Sequence, residues 1–561
     1  LAFGRFSAAS FGNWTYIAGI VIGALAGSNL PLIFKVFNRN FERLENTYSR
    51  LLKRMIQARR IVLAGLVVGI VATGFAFTTL PTAFIPDEDQ GYGMGIFQLQ
   101  NGASLVETKK LGNQIAKVLS EEDDVDNASV INGFGFNGSS PDQGIFFFGL
   151  QPLEERKGAE HSSDAIVKRL NAKLIQLSDG LAKASGPPAV PGFSPQGGFY
   201  FQFNDLSNGA YSFNDLSNLA GQLIKSANAS GDFSSVFTQF TPSSPAIGLN
   251  INRDVMGALN VDFKEAMDTI SALAGNNFSG LTYESGQVRN IYVQGTSNQR
   301  ENIEDILSFY VRSNDGELVQ VSQFAEAKLS SAPPVISHYN LSRTVLIQGA
   351  EAIGRSSGQA LSTIQQLFKA ETYTNIGSAF TGLAALQLSA GNASILVFGL
   401  GVLIVYLVLS AQYESYITPV IILATVPLAM LGALAFLAIR SIDLNIYAQI
   451  GLVTLIGLAA KNGILIVEVA EQKLKEGKSS VIAVIESAES RLRPILMTAI
   501  AALAGFLPLV VANGAGANAQ QSLGTVIFGG LIVATVLSVG VVPPVYVLVK
   551  DLESRILLSS K

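Results

Sequence analysis

Six stretches of this 561-residue chain are apolar over the length needed to cross a lipid bilayer, and a long polar block separates the first from the other five. A spanning helix needs about 20 mostly apolar residues, because its backbone polar groups must be paired internally inside the hydrocarbon. Ile61–Leu80, Ala393–Leu409, Ile417–Ile439, Arg491–Val511 and Leu523–Val549 meet that requirement. Leu444–Ala470 meets it apart from Lys461, Asn462 and Glu468. Tyr16–Phe34 is a seventh candidate, Gly-rich and isolated, balanced between a span and an interfacial helix. Hydrophobic residues make up 48% of the chain and charged residues 14%, against roughly 25% charged in soluble domains. An apolar surplus of that size needs lipid to cover it.

Orientation follows from the basic residues in short connections. Lys35, Arg39, Arg43, Arg50, Lys53, Arg54, Arg59 and Arg60 precede the first clear span and place that side in the cytoplasm. Phe37–Met55 reads as a basic amphipathic helix on the inner leaflet. The loop Lys473–Arg493 and the tail with Lys550, Arg555 and Lys561 fall on the same side if each span crosses once. The external turns Ser441–Asp443 and Gly514–Gln520 carry no Lys or Arg. The expected order is therefore a hydrophobic segment (1–36), an inner-leaflet helix (37–60), a span (61–80), an external domain (81–389), a five-helix bundle (390–550) and a cytoplasmic tail (551–561).

The external block alternates strand-like and helix-like pieces. Gly93–Gln100, Ala128–Phe136, Gly144–Leu150 and Gly198–Asn204 predict strands; Ser104–Leu119, Ser163–Leu177 and Leu216–Ala229 predict helices. Split β-α-β units with antiparallel sheets suit this pattern better than one long parallel sheet. Three lobes are expected, with Asn250–Ser331 inserted between two halves of the second. The fold class is thus an α+β membrane protein: a helix bundle joined to a large α+β domain.

Several chemistries are excluded or weakened. There is no cysteine, which removes disulfides, thiolate metal sites and Cys nucleophiles. His161 and His338 cannot by themselves build a zinc site. A net charge of −4 does not suggest nucleic acid. Gly133–Gly138 matches G-x-G-x-x-G, but turn-like and strand-like residues follow where a dinucleotide site needs a helix. Gly477-Lys478-Ser479 lacks the upstream glycine of a P-loop, since Gln472 stands there. No Ser-His-Asp or metal constellation supports an enzyme, and six Met without a cluster near the Phe-rich loop argue against metal export.

Lys461 is the most informative residue. A lysine in mid-span costs a few kcal/mol, so it should face the bundle and meet an acid. One reading is structural, with Lys461 paired to Glu468 or to carbonyls. The other is an ion or proton relay, which needs a carboxylate whose affinity for protons a nearby cation tunes. No Asp lies in the later spans, so that acid must come from a helix outside them. Arg491 and Thr498 lie seven apart, hence on one face; Arg491 either snorkels to the interface or joins a polar path past Thr498 to Lys461. Phe134, Phe136 and Phe147 gather around the Gly-rich loop, and Phe199, Phe201 and Phe203 alternate on one strand face. Core packing explains any one of them; together they suit an adaptable apolar pocket.

Ser490–Thr498 (SRLRPILMT), Gly457–Glu468 (GLAAKNGILIVE), Ala411–Tyr416, Pro86–Gly91 (PDEDQG), Asn132–Phe136 and Gly514–Gln520 resemble, in order, signatures of the resistance-nodulation-division (RND) efflux pumps, hydrophobic/amphiphilic multidrug branch. The resemblance runs from about Phe37 to Lys550 and implies the C-terminal half of such a pump, with ferredoxin-like porter lobes and a docking lobe in the periplasm. It implies an inner-membrane, proton-driven exporter of amphiphilic small molecules or drugs, using the proton gradient and no cofactor. Lys461, Arg491 and Thr498 then belong to the proton path, with Lys461 facing two Asp of the other half, supplied by a second chain or a segment missing here. Phe134 and Phe136 lie on a loop between two drug pockets, and Phe147, Phe199, Phe201 and Phe203 contact drug. Ser139 replaces a basic residue common in that loop, and residues 1–33 do not match the stretch usual before the inner-leaflet helix. Membrane lipid, a homotrimer, a periplasmic adaptor and an outer-membrane channel are the implied partners, with no nucleic acid. The alternative is a non-transporting half-pump acting as receptor or assembly subunit.

Overall fold

The computed structural model describes residues 38–39, 41–136, 138–177, 180–194, 196–352, 354–371 and 373–559. The expected Tyr16–Phe34 segment lies outside them. Two units emerge: one holds the chain up to Glu88, Ser356–Gln359 and everything from Leu386 onwards; the other holds Asp89–Arg355 and Ala360–Ala385.

Among the described residues, six helices in the first unit are long and apolar enough to cross a membrane. They are Arg59–Thr79, Leu383–Tyr413 (apolar from Leu396), Thr418–Ile439, Ile446–Lys475, Ser480–Val510 and Ala517–Ser559. The third is broken: Thr418–Leu423 and Val426–Ile439 are separate helical pieces. Pro427 explains the break, since it has no N–H to donate and its ring clashes one turn back. The fifth helix starts at Ser480, well before the expected Arg491, so residues 480–490 are helix and not loop. Ser479 caps it by accepting from the Ile482 N–H, and Glu486 holds Lys473 and Lys478 at 2.5 and 2.6 Å. The sixth helix runs through the expected tail to Ser559, with Lys550 bridging Glu471 at 2.9 Å and Glu553 at 3.2 Å.

The third, fourth and sixth helices form the packed centre, with 61, 56 and 67% of their apolar windows buried. The first, second and fifth have 11, 6 and 11% buried, so most of their apolar surface faces away from this unit. Close approach depends on glycine, as in membrane bundles generally. A Cβ on Gly529 would lie 2.5 Å from Phe436 Cβ, an atom fixed to the backbone. Gly529→Ala is therefore expected to cost about 1–3 kcal/mol of overpacking, read as a lowered melting temperature in detergent. Gly505→Ala, which meets nothing within 4 Å, should leave it unchanged.

Residues 41–57 form a helix whose Leu52 and Ile56 are buried in the bundle. Tyr48 donates its hydroxyl to the Val539 carbonyl at 2.9 Å, while Arg43, Arg50, Lys53 and Arg54 are exposed.

The second unit contains two lobes of one design. In the first, β1 (Tyr92–Leu99), a helix (Leu105–Ser120), β2 (Val125–Asn132), β3 (Gln143–Leu150), a helix (Ser163–Leu174) and β4 (Gly180–Ser185) form an antiparallel sheet ordered β2-β3-β1-β4. Ser104 and Glu107 make a capping box at the first helix. Phe97, Phe146 and Phe148 pack against Leu111, Ile115, Ile166 and Leu170. In the second lobe, β5 (Phe199–Asp205), a helix (Phe213–Ala229) and β6 (Phe233–Thr238) precede an insertion.

The insertion leaves along β7 (Ser244–Ile251) and returns along β12 (Ala325–Ala332), paired over their whole length. Its legs thus begin at Ser244, ahead of the expected 250. Between them lie the hairpin β8 (Asn277–Glu284) and β9 (Gln287–Val293) and the short pair β10 (Tyr310–Arg312) and β11 (Leu318–Gln320). Met256, Ile270, Val311, Val321 and Phe324 give the insertion its own core. The lobe closes with β13 (His338–Tyr339), β14 (Ser342–Glu351), a helix (Ser357–Ala370) and β15 (Ile376–Thr381). Here β14 lies between β5 and β6, with β15 on the far side of β5.

Candidate functional sites

The fourth apolar helix places Lys461 and Glu468 on its exposed side. The opposite side is locked. Asn462 is buried and donates Nδ2–H to Thr535 Oγ1 at 3.4 Å, and a Cβ on Gly463 would sit 3.2 Å from Ile422. Lys461 has no hydrogen bond or ion pair among the described residues, and the pairing with Glu468 considered above is absent among them. The side chain thus presents a cation from an apolar helix without its counter-charge. The fifth helix packs on the fourth. On it, Arg491 is half-buried and Thr498 is exposed, with the Thr498 hydroxyl donated to the Ile495 carbonyl at 3.1 Å.

In the second unit the loop joining β2 to β3 closes on itself. Gly135 and Gly138 exchange backbone hydrogen bonds at 2.9 and 3.2 Å, and Gly133 and Gly138 have φ of +78° and +131°, angles glycine adopts without strain. This turn holds Phe134 out into solvent, 45% exposed. Phe136 is half-buried and lines a cavity of about 200 Å³ with Phe193, Tyr200, Leu346 and Gln348. Phe147 is half-buried, on the face of β3 opposite to the core residues Phe146 and Phe148.

Phe199, Phe201 and Phe203 belong to the core of the second lobe. They are 4, 1 and 0% exposed, on the face of β5 covered by the lobe's two helices. Phe201 meets Phe380 and Phe368 edge-on at 5.1 and 5.6 Å, and Phe203 meets Tyr373 at 5.2 Å. Successive strand residues point to opposite faces, so the residue facing the cavity is Tyr200. Its hydroxyl accepts from the Gln196 N–H at 3.1 Å. Burial pushes its phenol up to about 12, so it stays a neutral donor near pH 7. Period-two alternation singles out Tyr200 as well as its neighbours; Phe193 and Leu346 come from segments without such a signal.

Among the described residues, helices long and apolar enough to cross a membrane, with Lys461 unpaired on one of them, and a lobed α+β unit with an aromatic cavity describe a membrane protein. The family model described as AcrB/AcrD/AcrF matches residues 16–550. The antibiotic efflux pump membrane transporter ArpB of Pseudomonas putida is 34% identical over 521 residues, covering 92% of this chain and 49% of its own length. The toluene efflux pump membrane transporter TtgB, also of Pseudomonas putida, gives the same identity and coverage. The multidrug resistance protein MdtF of Escherichia coli is 32% identical over 543 residues, 96% of this chain and 52% of its own. The chain therefore belongs to the AcrB/AcrD/AcrF family of RND transporters, and it spans about half the length of the curated relatives it matches.

Proposed function

We propose that the chain acts as the C-terminal half of a proton-driven RND exporter of amphiphilic small molecules. The observation that carries this reading is Lys461, a cation displayed from an apolar helix with no partner among the described residues. Such a residue needs an acid from a neighbouring helix, and the other half of the pump supplies it. Proton loading of that acid then changes the charge facing Lys461, and Arg491 and Thr498 extend the polar path. The two lobes are read as ferredoxin-like porter lobes facing the periplasm, and the insertion on β7 and β12 as the docking lobe. Phe134, Phe136 and Phe147 then meet the substrate, together with Tyr200. In this reading the pump sits in the inner membrane as a homotrimer, joined to a periplasmic adaptor and an outer-membrane channel. It uses no cofactor beyond the proton gradient.

The test is reconstitution of the chain with the complementary half in liposomes, under an imposed pH gradient. A cationic amphiphilic dye should move against its own gradient and dissipate the pH difference as it does so. Dye movement indifferent to the pH gradient would reject antiport. A chain that binds dye but never moves it would favour the receptor or assembly role.

A further inference from the structure

Residues 81–88, which lead out of the first apolar helix, run across the N-terminal ends of two others. The Leu444 N–H donates to the Pro81 carbonyl at 2.8 Å, and the Ile446 N–H to the Phe84 carbonyl at 3.0 Å. These bonds hold the segment against the start of the fourth helix, the one that carries Lys461. At the far end of the segment, Glu88 reaches the start of the sixth helix. Its two carboxylate oxygens accept from the N–H groups of Ala519 at 2.8 Å and Asn518 at 3.3 Å. Asn518 in turn donates Nδ2–H to the Asp87 carbonyl at 2.6 Å. A helix leaves its first N–H groups without partners of its own, and the side chain just before it usually supplies one. Here that residue is Gly516, which has no side chain. Glu88 caps the helix instead, from 430 residues away in sequence, and its negative charge suits the positive end of the helix dipole.

The next residue is held as firmly, in the other unit. The division between the two units falls between Glu88 and Asp89. Asp89 accepts from Arg156 and from the N–H groups of Gly91 at 3.0 Å and Ser163 at 3.2 Å. Consecutive Cα atoms lie only about 3.8 Å apart, so two anchored neighbours leave little chain to absorb a displacement. We propose that Glu88 is a positioning residue of the transport cycle. By clamping residues 81–88 to the sixth helix it makes them a stiff strap, which carries movement of the fourth and sixth helices to Asp89 and the lobe that Asp89 anchors. The inference rests on the export reading above and adds the route by which a charge change at Lys461 reaches the first lobe. Glu88 touches neither proton nor ligand in this scheme. Without its carboxylate the strap keeps its main-chain bonds at Leu444 and Ile446 and comes loose from the sixth helix.

The test is dye export in vesicles holding both pump halves under an imposed pH gradient, with the melting temperature of the same preparations. Glu88→Ala should lower the maximal export rate at least about tenfold, within the usual range of coupling between distant sites. The half-saturating dye concentration should stay within about twofold, since no ligand contact is lost. Loss of one cap should lower the melting temperature by no more than about 4 °C. Gln520→Glu, added to Glu88→Ala, puts an acid in the first turn of the sixth helix without a tether to the strap. This double variant should recover the melting temperature and not the rate, and it covers the case in which Glu88→Ala alone does not fold. Wild-type export by Glu88→Ala, or a rate restored by Gln520→Glu, would overturn the strap and leave the export reading standing, with Glu88 a helix cap and nothing more. Absence of pH-driven export by the wild type would overturn both.

Discussion

Lys461→Ala is expected to reduce proton-coupled export to background while the protein still inserts, assembles and melts normally. The two halves of that expectation have separate physical origins. Lys461 is exposed and touches no partner among the described residues, so its removal leaves no group of this chain orphaned among them, and the facing acid of the other half can stay neutral by keeping its proton. Substitutions of that kind usually stay within about 0.5 kcal/mol. The relay, by contrast, depends on a cation that lowers the proton affinity of a facing acid. Without it the acid remains protonated across the working range and the cycle has no charge change to use. Dye export in vesicles holding both pump halves, measured beside the melting temperature of the same preparation, separates the two effects. Export that persists in Lys461→Ala at wild-type rate would make the lysine an ornament of packing.

The largest stability loss is expected at Arg156, in the first lobe of the second unit. Its side chain is 1% exposed. It grips both oxygens of Asp89 at 2.8 and 2.9 Å and donates to the carbonyls of Gln151 at 2.7 Å and His161 at 3.0 Å. Arg156→Met removes one partner of a buried pair, which typically costs about 3–5 kcal/mol. The double variant Asp89→Asn/Arg156→Met should recover part of that loss, because it leaves no bare charge. Acid supplies an independent check. Burial raises the Asp89 carboxyl, but the Arg156 guanidinium and the N–H groups of Gly91 and Ser163 outweigh it and hold the carboxyl below its usual range. A group lowered on folding contributes stability above its unfolded value, about 3.9, and loses that contribution as the pH falls through its folded value. Wild-type denaturation should therefore steepen below about pH 4. Arg156→Met should already be weak at pH 7 and fall less on further acidification. Equal denaturation midpoints for wild type and Arg156→Met would contradict this account.

The apolar helices were legible because a span must be apolar along its whole length, and few soluble segments are. Their ends were less so. Residues 480–490 carry enough charge to read as a loop, and the Ser479 cap with the Lys473–Glu486–Lys478 cluster makes them helix. Lys461 stood out for the converse reason, a charge inside an apolar run. In β5 the alternation of aromatic residues was plain, but period-two patterning distinguishes two faces without saying which one helices cover. Phe199, Phe201 and Phe203 went to the helix side and Tyr200 to the cavity.

The shared design of the two lobes makes their connections comparable. The link from β2 to β3 in the first lobe occupies the same topological slot as the link from β6 to β14 in the second. One slot holds the short glycine loop with Phe134 and Phe136. The other holds an entire insertion with a core of its own. Lengthening a closed loop costs only about 0.6 kcal/mol per doubling, whereas shifting a strand by one residue turns its whole apolar face outward. Variation in such a scaffold therefore accumulates at this slot and spares the sheets. It is the natural grafting point: a short glycine loop and a whole module with its own core are alternative cargoes for the same socket, and either can be exchanged without redesigning the lobe that carries it.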